Sequence, residues 1–282
     1  MKVVTTIKEL QAELDAARSA GHSIGLVPTM GALHRGHASL VERSVSENDT
    51  TVVSIFLNPT QFNDKNDLQR YPRTLEADCQ LLEHCGAQIA FAPSVEEIYP
   101  EPDTRHFSYL PTDAVMEGAR RPGHFNGVCQ IVSKLFAWVQ PTRAYFGEKD
   151  YQQIAVIRRM VADLGFKLEI VPCSCIREED GLAMSSRNTL LTPAERAIAP
   201  RIYQALAASR EFARSHSVAA TQQYVVSRIN AIDGLDVEYF AIVDATTLLD
   251  VSRWDEATGV VGCITVYCGS KPIRLIDHIK YK

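Results

Sequence analysis

Val27-Pro28-Thr29-Met30-Gly31-Ala32-Leu33-His34-Arg35-Gly36-His37 is the stretch that sets the reading of this chain. An apolar strand runs into a turn of small residues and then into a helix whose first turns carry two histidines three positions apart. That spacing places both imidazoles on one side of the helix start. A helix N-terminus presents unpaired backbone N–H groups and a partial positive charge, which suits a phosphate. Glycines at 31 and 36 let backbone and ligand approach closely. A strand–turn–helix corner with two surface histidines is the plainer alternative. The Pro-Thr-Met-Gly lead-in and the His-Arg-Gly-His ending together point instead to a corner that handles a nucleotide.

Strand and helix alternate outward from this corner over about the first 175 residues. Ile7, Leu10, Leu14 and Ala17 repeat at helical spacing, with Gly21 where a C-terminal cap belongs. Residues 24–27 read as a strand, 34–47 as a helix, 52–57 as a buried strand, 74–85 as a helix closed by Gly86, and 89–92 as a strand. Beyond a Pro-rich stretch near 93–123 follow a helix over 127–139, a strand at 144–147, a helix over 151–164 ended by Gly165, and a strand at 168–171. Short apolar runs alternating with helices predict a parallel sheet covered on both faces, with ligands beyond the carboxyl ends of its strands. The opening motif, Asn58-Pro59-Thr60-Gln61-Phe62 and Phe146-Gly147-Glu148-Lys149-Asp150 all fall at such ends.

The pattern changes after about residue 176. Thr192-Pro193-Ala194-Glu195 is a helix start, with Thr as cap, Pro at the first position and Glu at the third. That helix is expected to run to about Ser215, with another over 218–232 and strands near 237–243, 259–267 and 273–276. The fold class expected is α/β: a Rossmann-like doubly wound parallel-sheet domain over 1–175, followed by a smaller α+β C-terminal domain over 176–282.

Composition narrows the setting. With 46% hydrophobic and 22% charged residues the chain reads as an ordinary globular protein. No apolar run approaches the roughly 20 residues needed to cross a bilayer. Met1 to Glu9 lacks the apolar core of a signal peptide, so a cytoplasmic location without membrane attachment is expected. Seven cysteines, an odd number with no CxxC pair, fit that compartment, and Cys173-Ser174-Cys175 has no second ligand pair at zinc spacing. A net charge of −5 argues against a nucleic-acid binder. An acidic protein that handles anionic nucleotides must concentrate cations locally.

Two further segments supply those cations. Met184-Ser185-Ser186-Arg187-Asn188 follows Asp180-Gly181 at the expected domain junction. Alone it is a polar turn before a helix, yet two hydroxyls beside an arginine suit a polyphosphate. Lys149, read alone as a surface lysine, stands at a strand end beside a helix start, within reach of an α-phosphate. Gln61 and Gln153, read as loop residues at the same edge, are uncharged donor–acceptors suited to a hydroxy acid.

These segments resemble the pantothenate synthetase (pantoate–β-alanine ligase) family of the HxGH nucleotidyl transferases. The resemblance rests on Val27 to Gly31, His34 to His37, Asn58 to Phe62, Arg70-Tyr71-Pro72-Arg73-Thr74, Gly118 to Val128, Phe146 to Asp150 and Asp180 to Asn188, and it extends to Leu275-Ile276-Asp277. It implies ATP-dependent condensation of (R)-pantoate with β-alanine through a pantoyl adenylate, giving pantothenate, AMP and pyrophosphate. By the same resemblance, Met30, Gly31, Ala32, Leu33, His34, Arg35, Gly36 and His37 contact ATP. So do Gly147, Glu148, Lys149, Asp150, Ile176, Met184, Ser185, Ser186 and Arg187, while Gln61 contacts pantoate and, in the second step, β-alanine, and Gln153 holds pantoate.

Catalysis then falls to His34, His37, Lys149, Ser185, Ser186 and Arg187, with His37 ranked as a hydrogen-bond donor to phosphate above an obligate acid. ATP implies Mg2+, bound mainly through phosphate oxygens, with Asp78 the candidate protein ligand. The family implies a homodimer and casts the C-terminal domain as a lid. Arg120, Arg121 and His124 fit either a pantoate pocket or a subunit contact. A cofactor adenylyltransferase that releases its adenylylated product is the alternative activity.

Overall fold

The computed structural model describes residues 1–63 and 65–282. The chain divides into two compact units. The first comprises Met1–Tyr109, Arg121–Gly147 and Val156–Ser174; the second comprises Leu110–Arg120, Glu148–Ala155 and Cys175–Lys282. The sequence reading cuts the chain once, at 175/176. Here two earlier segments also belong with the C-terminal residues.

In the first unit β1 (Lys2–Val4), β2 (Ile24–Thr29), β3 (Thr50–Ile55), β4 (Ile89–Phe91), β5 (Arg143–Gly147) and β6 (Glu169–Cys173) form one six-stranded sheet in the order β1-β4-β3-β2-β5-β6. Every pairing is parallel. The helices in chain order are α1 (Ile7–Ser19), α2 (Arg35–Glu47), α3 (Lys65–Arg70), α4 (Leu75–His84), α5 (Val95–Ile98), α6 (Met116–Arg120), α7 (His124–Val139) and α8 (Tyr151–Asp163). Of these, α6 belongs to the second unit, and the division between units falls within α8.

The first five residues of β3 are all buried, so both faces of the sheet are covered, as a run without polar alternation requires. Val27, Val53, Ala90, Tyr145 and Val171 pack with Ala38 and Val41 of α2 and Leu82 of α4. The three-residue strand β1, which pairs with β4, is too short to leave a period in the sequence. The strand order reverses direction between β2 and β5, the crevice where doubly wound sheets take ligands. Beyond the carboxyl end of β2 lies the histidine corner.

The second unit contains α9 (Pro193–Ile198), α10 (Arg201–Phe212), α11 (Val218–Asn230) and an antiparallel sheet of β7 (Leu235–Asp244), β8 (Val260–Cys268) and β9 (Ile273–Lys280). Thr192 and Glu195 form the expected capping box, with Pro193 in the first turn. The single helix expected to run on to about Ser215 is broken between Ile198 and Arg201. Pro200 has no N–H to continue the ladder, and its ring crowds the carbonyl four residues earlier. Ile202, Leu206, Val225 and Ile229 pack on Phe240, Ile242, Ile264 and Val266.

Specific polar contacts explain why residues 110–120 and 148–155 belong to this unit. Gln152 donates to the carbonyls of Thr112 and Val115, both at 2.8 Å, and accepts from the Glu117 N–H at 3.0 Å. The Arg274 guanidinium donates to both oxygens of Glu117, at 2.5 and 2.7 Å, and to Glu238 at 2.6 Å. Tyr239 and Thr265 hydroxyls also donate to Glu117, at 2.8 and 2.9 Å. Burial alone would raise the Glu117 carboxyl, but the Arg274 contacts and the two hydroxyls outweigh it and hold the group at about 2.

Candidate active site

At the histidine corner, His34 is the N-cap of α2 and His37 its third residue. The Gly36 N–H donates to His34 Nδ1 at 3.1 Å, and the His34 N–H donates to His37 Nδ1 at 3.3 Å. This is a capping box in which imidazoles take the parts usually played by Ser or Thr and by Glu or Gln. An Nδ1 that accepts a hydrogen bond carries no proton, so both rings are neutral with the hydrogen on Nε2. The rings lie 4.1 Å apart, tilted by 38°, and both residues are half-buried.

The amides of the preceding turn are engaged too. Ala32 N–H donates to Asp78 Oδ2 at 3.0 Å, Leu33 N–H to Asp78 Oδ1 at 2.8 Å, and Gly31 N–H to Thr29 Oγ1 at 3.3 Å. The sequence reading offers phosphate the backbone of a helix N-terminus. In the structure the N-cap His34 and Gly36 amides are bound by the two imidazoles, and those of residues 31–33, in the turn before the helix, by Thr29 and Asp78. Gly31 and Ala32 both have left-handed backbone, φ +81 and +50. For Ala32 that conformation costs about 1–2 kcal/mol, which its hydrogen bond to Asp78 helps offset.

Asp78, the candidate Mg2+ ligand of the sequence, lies behind this turn. It is 2% exposed, and both oxygens accept hydrogen bonds from the turn, with Thr74 Oγ1 adding a third at 3.1 Å. A Mg2+ ligand needs a lone pair facing the ion and room for its retained waters. This carboxylate is committed to the backbone instead. No cluster of three or more His, Cys, Asp or Glu able to hold a metal occurs among the described residues.

Gln61 lies in the 3-10 turn Pro59–Gln61 beyond β3, one strand over from the corner. Its side chain is oriented by Asn58, which donates to Gln61 Oε1 at 3.1 Å and to the Gly127 carbonyl at 3.0 Å, while Gln61 Nε2 points at Met30 Sδ at 3.0 Å. Asn58 is 1% exposed and its own oxygen accepts from Tyr99 and Thr60. In the sequence Asn58 is a motif residue with no role of its own to mark it. A Cβ on Gly127 would lie 2.3 Å from the Thr60 carbonyl, so only glycine lets α7 approach this turn.

Arg121 and His124, left open by the sequence, brace the same residue. His124 Nδ1 lies 2.8 Å from the Gln61 carbonyl and Arg121 Nη2 donates to it at 3.3 Å. A carbonyl only accepts and a guanidinium only donates. His124 is therefore protonated on Nδ1 and accepts from Arg121 at Nε2, 3.3 Å away. Its tautomer is the reverse of that in the corner.

Within the second unit, Glu148, Lys149 and Asp150 form a 3-10 turn directly after β5. Lys149 Nζ is 3.5 Å from Asp150 and its side chain is 19% exposed. The Glu148 carboxylate is bound by Lys280 Nζ at 2.5 Å. Gln153 stands on the first turn of α8 rather than in a loop. Met184 N–H donates to the Ile176 carbonyl at 3.0 Å, which brings those two residues together beside the Arg177–Ala183 bridge. Arg177 anchors that bridge through two bonds to Asp277, at 2.7 and 2.9 Å, and lies 3.6 Å over the Tyr203 ring. Ser185 Oγ accepts from the Arg187 N–H at 3.3 Å and caps the turn Ser186–Leu190. Arg35, by contrast, is exposed and paired with Glu42. Burial first, then Asp277, pushes the Cys175 thiol up to about 11, so it carries little thiolate near neutrality.

A six-stranded parallel sheet with a histidine pair beyond its switch point places the chain among the doubly wound α/β proteins. The family model for pantoate-beta-alanine ligase matches residues 2–280, and the chain belongs to that family. The pantothenate synthetase of Bacteroides thetaiotaomicron is 67% identical over 282 residues, covering 100% of this chain and 99% of that protein. The crystal structure of pantothenate synthetase from Thermus thermophilus superimposes with a TM-score of 0.93 at 47% identity, over 100% of this chain and 99% of that one. That of the Francisella tularensis pantoate-beta-alanine ligase, complexed with beta-gamma ATP and beta-alanine, matches with a TM-score of 0.81 at 34% identity, over 100% and 98%. Ligation of pantoate to β-alanine, rather than release of an adenylylated cofactor, is thus the activity of this chain. No helix among the described residues is long and apolar enough to cross a membrane.

Proposed function

We propose that the chain takes ATP as its magnesium complex, activates (R)-pantoate as pantoyl adenylate, and passes the pantoyl group to β-alanine. The observation that carries this reading is the pair of neutral imidazoles, each holding Nδ1 against the backbone and its proton on Nε2. Two such donors at the mouth of a doubly wound sheet suit a polyphosphate.

In the first step a pantoate carboxylate oxygen bonds to the α-phosphorus as the bond from that phosphorus to the pyrophosphate oxygen breaks. A carboxylate is ionised near neutral pH, so no base is needed. What the step needs is alignment and relief of repulsion between two anions. We assign this to His34 and His37 as donors and to Lys149, Ser185, Ser186 and Arg187. Met30 to His37, Gly147 to Asp150, Ile176 and Met184 complete the nucleotide contacts. Because Glu148 is bound by Lys280 and Arg35 by Glu42, their backbones rather than their side chains are assigned to ATP.

Gln61, oriented by Asn58, and Gln153 hold pantoate. Mg2+, carried on ATP, neutralises phosphate charge and takes no ligand from Asp78. In the second step the free amine of β-alanine bonds to the acyl carbon, and the bond from that carbon to the AMP oxygen breaks. A cytoplasmic homodimer is the setting we assign, on the family resemblance and on cysteines that are all free thiols.

Carboxylate-labelled [18O]pantoate tests the sequence of bonds. Label is expected in AMP, with AMP accumulating catalytically only when pantoate and β-alanine are both present. Unlabelled AMP, or AMP production indifferent to β-alanine, would overturn the adenylate route.

A further inference from the structure

Asp78 lies in the first turn of α4, and its carboxylate spans the turn that leads into the histidine corner. Oδ2 accepts from Ala32 N–H at 3.0 Å; Oδ1 accepts from Leu33 N–H at 2.8 Å and from Thr74 Oγ1 at 3.1 Å. A carboxylate whose two oxygens each accept from one of two successive amides holds them directionally. The amides it reads adjoin the left-handed backbone at Gly31 and Ala32, a conformation that persists only where its surroundings over-determine it.

The carboxylate is itself fixed. Leu82 of α4 shares one buried cluster with Ala38 and Val41 of α2, the helix that carries both histidines. A Cβ on Gly31 would come within 3.1 Å of Asp78 Oδ2, so the turn and the carboxylate leave each other little freedom. We infer that Asp78 is a positioning residue for adenylate formation: it sets the turn at 31–33 and thereby aims the Nε2–H groups of His34 and His37. This deepens the reading of the corner given above and rests on His37 acting as a phosphate donor.

Asp78→Asn keeps the shape but turns an amide N–H2 toward one of the two backbone donors. Misplacing a catalytic group by about 1 Å costs on the order of 100-fold. The kcat for pyrophosphate release from ATP and pantoate should therefore fall about 10- to 100-fold in D78N. KM for ATP and the Mg2+ concentration for half-maximal rate should stay within about threefold, since the defect is one of alignment. In the H37A background the loss caused by D78N should shrink, because the share that acts through His37 is already gone and only the share through His34 is left.

Normal turnover of D78N beside an impaired H37A overturns the inference, as do fully additive losses. A marked rise in the Mg2+ requirement of D78N overturns it in favour of metal ligation. Near-normal H37A would instead retire the assignment of the histidines, a distinct outcome. Should D78N fail to fold, Gly31→Ala presses on the same contact from the other side. It is expected to give the same loss in kcat, again smaller in the H37A background, and wild-type kcat in G31A would overturn the inference.

Discussion

Two polar clusters of this chain are built on opposite plans. In the second unit Glu117, Arg274 and Glu238 spend their charges on one another, with Tyr239 and Thr265 completing the Glu117 shell. In the first unit His34 and His37 set Nδ1 against the backbone, which puts the ring hydrogen on Nε2. A cluster that consumes its own partners holds a fold. One whose rings are oriented by the backbone has its donors pre-aimed, and little reorganisation is needed at the moment of reaction. Asp78 extends the second plan by buttressing the turn behind the donors.

The contrast is open to direct attack. Arg274→Met strands two carboxylates that are 12% and 15% exposed, and breaking such a pairing costs roughly 3–5 kcal/mol. Urea unfolding should show that loss while the folded variant still adenylates pantoate; unchanged stability would erase the distinction. Next in size is His37→Ala, which should cut kcat/KM for pyrophosphate release about 100- to 1000-fold, the range for losing one oriented donor. His37→Gln should retain more activity than His37→Ala, because a glutamine at the third helical position can accept from the N-cap amide and still donate outward. Equal losses in the two variants would mean that donor geometry is not what matters.

A pH titration reads the first plan without mutation. The Glu117 carboxyl, held at about 2 against 4.5 in the unfolded chain, contributes stability that is full above pH 4.5 and is lost as pH falls toward 2. Integrated over that window the loss is up to about 3 kcal/mol, measurable as a falling urea midpoint, and E117Q should flatten it. The smallest effect is expected from His124→Ala. It removes one brace from the Gln61 carbonyl and should raise KM for pantoate several-fold with kcat nearly unchanged, whereas an unaltered KM would leave Arg121 and Asn58 as sufficient.

The parallel sheet and the corner were legible because their signals are local. Apolar runs such as Val52-Val53-Ser54-Ile55 and a histidine pair three apart need no partner to be recognised. Pro200 is an equally local signal, and it ends a helix that the apolar spacing alone carries through it. What could not be read depends on distant contacts. Nothing near Gln152 announces that it holds residues 112–117, and Glu148 gives no sign of its bond to Lys280, 132 positions on. β9 extends to Lys280 past Asp277 and His278, polar residues buried at 5% and 6% exposure that end an apolar run in sequence but not in space. Asp78 is a candidate metal ligand in sequence by its place after residues 70–74; that its oxygens accept from amides 45 and 46 residues earlier is visible only in the fold.

The histidine corner is tested most directly by 15N NMR of the imidazole nitrogens in the protein, with and without ATP. Both His34 and His37 should show protonated Nε2 and bare Nδ1 near neutral pH, and ATP should shift their Nε2 resonances while leaving Nδ1 almost unmoved. A proton on Nδ1 in either ring, or resonances indifferent to ATP, would contradict the claim that these side chains are anchored at one nitrogen in order to bind phosphate with the other.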